Sequence, residues 1–311
     1  MARILVAGEL NVDLVMTGLP SLPVIGRELT AADFHVVLGS SSAITAARLA
    51  ALGADVDFIG IVGKDDFGRF VLDELRRFGV GTDLIEQVDI PTGVTIALTY
   101  SHDRALLTYP GTIAAYDGSN IAAELLVNYG HLHVGAYYLQ TGLQPALPTL
   151  FKSARDHGLT TSLDVGWDPQ EQWGGNPWLA QSLEQTDFFF PNESEAAALM
   201  GGGDTGSLTA QVGGWLIVKQ GGKGAAAYNK QGETLFVPAL PVEVIDTTGA
   251  GDAFNAGFIY AHRVASKPVQ ESMRFAAACG AQAVTQVGGA TGAPSAASIE
   301  QFITQQSEVQ A

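Results

Sequence analysis

The chain has 311 residues, 47% of them hydrophobic, with a mean hydropathy of +0.18. Sixteen Lys and Arg stand against 32 Asp and Glu, a formal charge of −16, and no run of basic residues occurs. This argues against a nucleic-acid surface, and an anion site here must bring its own local positive field.

The length alone is compatible with two domains, but α/β folds hold this many residues in one. No repeat, low-complexity tract or linker divides the sequence, so we expect a single domain over residues 1–311. The lone cysteine, Cys279, excludes an internal disulfide and fits a buried thiol in a reducing cytosol. Residues 1–8 are too short and interrupted for a signal peptide. No apolar run reaches membrane-spanning length. A cytoplasmic chain is the expectation.

Residues 4–7 form a short apolar run ending at Gly8, the pattern of a buried parallel strand. Gly8-Glu-Leu-Asn11-Val-Asp13 follows, placing polar side chains where open α/β sheets bind ligands; the alternative is an Asx turn. Residues 14–37 and 92–110 do not alternate with helices. They read as short antiparallel strands outside the main sheet. Residues 39–53 begin with serines and end at Gly53, a helix. A strand over 56–63 leads through Lys64-Asp-Asp66-Phe-Gly68 into a helix reaching Arg77. Further β and α alternation, at 131–135, 147–157, 161–165 and 188–190, implies a mainly parallel, doubly wound sheet. His131 and His133 alternate as on a strand face, but no third ligand is spaced for zinc.

Residues 242–260 read as a strand end, a glycine turn and a helix start. Val242, Val244 and Ile245 are β-formers, and Phe254 and Phe258 share a helical face. Gly249-Ala250-Gly251 permits a sharp bend and close approach to a ligand. The free N–H groups of the helix then make an anion site, with Asp252 in the first turn. On glycines alone a plain helix N-terminus explains as much.

The stretch Asp246-Thr-Thr-Gly-Ala-Gly-Asp-Ala-Phe254 resembles the C-terminal signature of the pfkB (ribokinase-like) carbohydrate kinases at every fixed position. Three other stretches resemble family motifs in the same order: residues 8–13; residues 39–53; and Val62-Gly-x-Asp65-x-Phe67-Gly68. In the second, Ser40 replaces a glycine and Ile44 an asparagine that contacts sugar in relatives. No Gly-x-Gly-x-x-Gly follows the first strand and no Walker A loop occurs, which argues against a dinucleotide oxidoreductase and a P-loop kinase.

The resemblance implies a ribokinase-like fold: a doubly wound α/β core with a small β lid built from about 12–37 and 92–110, which in many members also makes a homodimer. It implies transfer of the ATP γ-phosphate to a sugar hydroxyl. Asp252 is then the general base, and Gly249, Ala250 and Gly251 hold the phosphoryl group. Asn11, Asp13, Gly39, Ser40, Ile44 and Arg104 face the acceptor. Asn192, Lys219, Gly222, Gly224, Thr247 and Cys279 lie along the nucleotide. Asn192 and Glu195, in Asn-x-x-Glu, help hold Mg²⁺ largely through water, and Asp246 marks a site for K⁺. The segment 163–169 keeps Asp164 but carries Gly166 and Asp168 at the family's Asn and Arg positions. A nucleoside kinase is the alternative within the family, and a non-catalytic sugar sensor the alternative outside catalysis.

Overall fold

The computed structural model describes residues 2–100 and 104–310. In chain order the strands begin with β1 (Ile4–Gly8), β2 (Asn11–Thr17), β3 (Asp33–Leu38), β4 (Val56–Gly63), β5 (Gly81–Val88), β6 (Gly93–Thr99) and β7 (Arg104–Tyr109). They continue with β8 (His131–Val134), β9 (Thr160–Leu163), β10 (Phe188–Phe189), β11 (Trp215–Lys219), β12 (Gly224–Asn229) and β13 (Thr234–Pro238). The helices are α1 (Ser41–Ala51), α2 (Asp66–Phe78), α3 (Thr112–Ala115), α4 (Ala123–Leu126), α5 (Leu147–Asp156) and α6 (Pro177–Glu184). After these come α7 (Glu193–Met200), α8 (Thr205–Thr209), α9 (Ala250–Ile259), α10 (Val269–Ala283) and α11 (Ala296–Gln310). Among the described residues no helix is long and apolar enough to cross a membrane.

The 9-stranded sheet runs β13-β12-β11-β10-β9-β8-β1-β4-β5. The strands from β11 to β5 are parallel, and β12 and β13 add an antiparallel edge. Side chains of a buried strand point alternately to the two faces, so a continuous apolar run feeds two cores. Ile4, Val6, Phe188 and Phe190 pack on one side with Phe58, Phe258 and Phe275. Leu5, Ala7 and Phe189 pack on the other with Phe151, Leu179 and Leu216. The result is the helix–sheet–helix layering that alternating β and α elements dictate.

From β1 the chain winds one way through β4 to β5, then returns to the other side of β1 and winds through β8 to β11. The carboxyl ends of β1 and β8 are therefore the topological switch point, where open sheets bind ligands. The second, 4-stranded sheet has the order β3-β2-β6-β7 and covers that edge. It corrects one expectation. Its outer pairs are antiparallel, but its central pair, β2 and β6, is parallel. These two strands follow β1 and β5, which end at the same edge of the main sheet, so both leave it in one direction.

One further expectation changes. No strand precedes Gly249: Val244 and Ile245 are 60% and 62% exposed. Their segment hydrogen-bonds to the end of α10 instead, with Ile245 N–H donating to Val284 O at 2.7 Å. A β-forming sequence without a partner strand stays an extended loop. The β12–β13 edge, rich in alanine, was not legible from propensity and exists because β11 pairs it.

The stretch Val62–Gly68 is structural, as its strand-to-helix position suggests. Asp65 caps α2, accepting from Gly68 N–H at 2.7 Å, and its other oxygen accepts from Thr92 N–H at 2.8 Å at the root of β6. Burial opposes ionisation of Asp65, but the Thr92 and Gly68 donors win and its pKa is lowered. A depressed carboxyl stabilises above its unfolded pKa and loses that contribution as pH falls through the folded value. Asp65→Ala should cost about 1–2 kcal/mol at pH 7, and urea midpoints of the two proteins should converge below about pH 4. Equal midpoints at pH 7 would remove Asp65 as the clasp of the lid root.

Candidate active site

Four segments meet at the switch point. β1 ends at Gly8, and the next residue, Glu9, is 1% exposed. Its carboxylate accepts from Ser42 N–H at 2.9 Å, Ser42 Oγ at 2.5 Å and Ser40 Oγ at 3.0 Å, which ties it to the first turn of α1. Burial raises its pKa despite these donors. Ser40 takes a positive φ of 71° and caps the helix, accepting from Ala43 N–H at 2.9 Å. This backbone favours glycine, which explains why the family motif has one there. The serine offsets its strain with the cap and with donation to Glu9 O at 2.6 Å.

Across from α1 stands the start of α9. Gly249 has φ 74°, and a Cβ there would lie 2.4 Å from the Gly289 Cα, so the turn requires glycine twice over. No side chain caps this helix, unlike α1, α2, α6 and α7. Its first-turn N–H groups and dipole therefore point into the cleft. The Ala250 N–H also leans on Thr247 O at 3.3 Å. Asp252 lies in the first turn, where one oxygen accepts from Ser41 Oγ at 2.6 Å. Although only partly shielded from solvent, its carboxyl is raised to about 7, first by burial and then by Asp164. Ser41 and Lys219 oppose the shift. A carboxyl near neutral pKa beside an uncapped helix start suits a general base.

Positive charge comes from Lys219, at the end of β11. Its ammonium lies 2.5 Å from Asp164 Oδ2 and 3.4 Å from Asn255 Oδ1, and Asn255 donates to the same Asp164 oxygen at 2.7 Å. Burial works against both charges, but each sustains the other: Lys219 is raised and Asp164 lowered. A Cβ on Gly251 would sit 3.2 Å from Lys219 Nζ, so the cation underlies the helix start. This is the local field that an acidic protein needs for an anion.

Asn192 and Glu195 form a reciprocal capping box on α7, each accepting the other's backbone N–H at 2.8 Å. Glu195 is 6% exposed and raised to about 7, by burial first and then by Asp164. Asp246 joins two loops: it accepts from Thr248 N–H at 2.9 Å, Thr248 Oγ1 at 2.7 Å and Gly288 N–H at 3.0 Å. Between Lys219 and α10 runs a cleft of about 500 Å³ lined by Gly222, Gly224, Thr247, Gly251 and an apolar wall including Leu240, Val242, Phe254 and Val284. A polar, positively charged end and an apolar end fit a phosphorylated heterocycle. Cys279 is not on this wall. It faces α9, where a Cβ on Gly257 would approach its sulfur to 2.7 Å, and burial pushes its thiol up to about 12. Ala277, Gly280, Ala281 and Val284 hold the cleft face of that helix and its end.

From the lid, Asn11 Nδ2 donates to Asp13 Oδ1 at 2.8 Å and to Thr95 Oγ1 at 3.1 Å. Burial raises Asp13 to about 6, while Asn11 and Arg104 pull it down. Gly39 lies directly beneath: a Cβ there would meet Asp13 Oδ1 at 2.2 Å. Arg104, on β7, reaches across to donate to Thr248 Oγ1, linking lid to turn. Ile44 is 4% exposed and packs against Gly289, which leaves little of its surface for an acceptor. His131 and His133 are buried and bonded to Thr160 and Ser162, a structural pair.

The structure thus groups Asn11, Asp13, Gly39 and Ser40 about the junction of β1 and α1, with Arg104 reaching Thr248, and lines one cleft with Lys219, Gly222, Gly224, Thr247 and Gly251. Sequence reasoning missed Glu9, Ser41 and Asn255. An acid directly after a buried strand was a signal for Glu9, but nothing in the sequence pairs Ser41 with a residue 211 positions away.

The profile of the pfkB family of carbohydrate kinases matches residues 1–296. A ribokinase of Bacillus subtilis is 27% identical over 306 residues, covering 98% of this chain and 100% of the relative. An ATP-dependent ribose-1-phosphate kinase of Halopiger xanaduensis is 29% identical over 313 residues, covering 98% and 99%. A putative ribokinase II of E. coli, solved in complex with ATP and Mg²⁺, superposes with a TM-score of 0.85 at 24% identity, covering 98% of this chain and 100% of that one.

Because the Ser41 hydroxyl favours ionised Asp252, Ser41→Ala should raise the Asp252 pKa above about 7. A ¹³C NMR titration of the carboxyl would measure this, and an unmoved value would mean that the bond does not stabilise the carboxylate.

Proposed function

The chain belongs to the pfkB family of carbohydrate kinases, and we propose that Asp252 is the base of its phosphoryl transfer. It is an ATP-dependent sugar kinase, a phosphotransferase with an alcohol acceptor. The observation that carries the assignment is the Asp252 carboxyl, raised to about 7 beside an uncapped helix start and a buried lysine.

In this reading the adenine lies against the apolar wall at Leu240, Val242, Phe254 and Val284, and Gly222, Gly224 and Thr247 border the phosphates. The acceptor is gripped by Asn11 and Asp13 over Gly39 and Ser40, with Arg104 above. Its hydroxyl gives its proton to Asp252 as the oxygen bonds to the γ-phosphorus and the bond to ADP breaks. N–H groups of the Gly249–Asp252 turn, with Lys219 below, hold the charge of the transferring group. Such catalysis is mainly positioning and electrostatics. The lid excludes water, the competing acceptor.

Mg²⁺ fits this site. Glu195 and Asp252 are each pushed up by the Asp164 charge, so the pocket holds more carboxylate than Lys219 offsets. No group of three or more acidic, His or Cys ligands capable of holding a metal occurs among the described residues. A hydrated magnesium on nucleotide phosphates, touched by Glu195 and Asn192, satisfies both facts; bound there, it neutralises phosphate charge. Asp246 spends both oxygens on Thr248 and Gly288, so we assign it the clasp of two loops rather than a potassium ligand. The lid face opposite Asp13 exposes Phe34, Val36, Leu107 and Tyr109, at 50%, 40%, 58% and 53%. An apolar sheet face of this kind supports a homodimer through the lid.

Asp252→Asn should lower kcat by roughly 10²–10⁴-fold while nucleotide binding persists. A carboxyl with a raised folded pKa destabilises the fold as pH climbs through it. The variant should therefore melt higher than the parent at pH 8, with the gap closing towards pH 4. Retention of most of kcat would sink the assignment.

Glu195→Gln keeps the capping-box geometry but removes the charge. It should raise the Mg²⁺ concentration for half-maximal rate several-fold, with Tm at pH 7 no lower than the parent's. An unchanged magnesium titration would leave Glu195 as a helix cap alone.

A further inference from the structure

The inference below rests on the kinase reading of the site. On β7 and its partners, Asp13, Thr95 and Thr108 lie in one cross-strand row, and Val15, Ala97 and Leu106 in the next. The Asn11–Thr95–Thr108 hydroxyl chain, at 3.1 and 3.0 Å, shows these polar side chains sharing one face. Thr108 and Leu106 line a second cleft, of about 1050 Å³, that the transfer reaction described above does not use. Strands lie about 4.8 Å apart, so this cleft starts roughly 10 Å from Asp13. That is about one sugar ring away.

The far wall is aromatic. Trp167, Trp173, Trp178 and Tyr138 line it. Trp173 is fixed edge-on against Trp167 at 5.0 Å and against Tyr138 at 5.3 Å. Tyr138 also donates to Trp173 O at 2.6 Å. Trp167 and Trp178 keep 54% and 38% of their surface exposed, so their rings remain open to a ligand. Holding them this way costs backbone strain. Glu171 and Trp173 are non-glycine residues at φ 52° and 43°. Asp168 overrides that strain by accepting N–H bonds from Gln170, Gln172 and Trp173 at 2.8–2.9 Å. Strain sustained by a dedicated buried carboxylate is a mark of a functional loop. Asp168 stands where the family motif has an arginine, and it is the charged residue among those described as lining the cleft. Both its oxygens are engaged by backbone donors, so the cleft offers an occupant flat rings and neutral amides such as Gln144, Gln170 and Asn176, and among its described lining no cation for an anionic group.

From this geometry we infer that the acceptor is a sugar bearing an uncharged, flat ring, which stacks in the tryptophan cleft while Asp13 grips the sugar. Stacking of a planar heterocycle on such rings discriminates by about tenfold or more. A free pentose leaves the cleft empty. The ring can be a nucleobase or a simple aryl aglycone, and the choice of probes separates them.

The experiment compares kcat/KM for ribose, fructose, adenosine, uridine and phenyl riboside, with ATP and Mg²⁺. The expected result is at least a tenfold preference for a ring-bearing acceptor over the free sugars. Preference shared by phenyl riboside assigns the cleft to any flat ring, whereas preference for the nucleosides alone assigns it to a base. Trp178→Ala and Trp167→Ala should each cut that preference about five- to tenfold, and Trp178→Phe should restore most of it. A ring-bearing acceptor turned over no better than ribose, with ratios unmoved by the tryptophan changes, overturns the inference and leaves the kinase reading standing. Turnover of no acceptor, free sugars included, defeats the kinase reading instead. The cleft is then judged by direct binding: adenosine or phenyl riboside should quench tryptophan emission saturably, and Trp178→Ala should weaken this by a similar factor. Absence of saturable quenching overturns it there too.

Discussion

One buried ammonium holds the proposed catalytic end of this protein together. Lys219 lies among Asp164, Glu195 and Asp252, three carboxyls that would repel one another in a poorly solvated pocket. It bonds directly to Asp164 and so fixes that charge. The remaining carboxyls stay on the edge of ionisation, each raised to about 7. A partly compensated cluster of this kind is costly to the fold but useful to the reaction. It leaves a carboxyl able to take a proton at neutral pH, and negative charge that a divalent cation on phosphate would relieve.

The fold explains why these groups meet. The sheet reverses its winding beside β1, opening a crevice between the ends of β1 and β8. Two helix starts, α1 and α9, face each other across it and differ in one respect. The first is filled by its own chain, with Glu9 and Ser40 occupying its donors. The second is left without a side-chain cap. Open N–H donors are thereby left at α9, while α1 supplies Ser41 as a donor to Asp252.

The lid works on both sides of this arrangement. Its root is pinned by Asp65 through Thr92, and its far strand touches the catalytic turn through Arg104 and Thr248. Its inner face carries Asn11 and Asp13, the proposed acceptor grip, and continues into the tryptophan cleft. In that proposal, recognition of the sugar and of a group beyond it share one face of one sheet. The departures at Ser40 and Ile44 are absorbed into packing, by Glu9 and by Gly289, whereas Asp168 changes the character of a whole loop.

Much of this was legible in the linear chain, because short-range rules govern it. Buried strands announce themselves as continuous apolar runs, helix starts by caps, and the anion turn by Gly249-Ala-Gly251 before an acid. Ordered motifs over residues 8–13, 39–53, 62–68 and 246–254 brought the family, and with it the lid. What the chain by itself did not determine depends on direction and on distant partners. Cys279 sits in the correct helix but on the face away from the cleft, since packing against Gly257 decides its orientation. The stretch before Gly249 has strand-forming residues and no strand, because no strand lies beside it and its N–H groups bond to the end of α10 instead. The Ser41–Asp252 bond, the Asp164–Lys219 pair and the Arg104–Thr248 bond join segments far apart in sequence, and Thr108 lines one cleft with three tryptophans. Those contacts exist only once the sheet has closed, and they set the pKa values and the shape of the site.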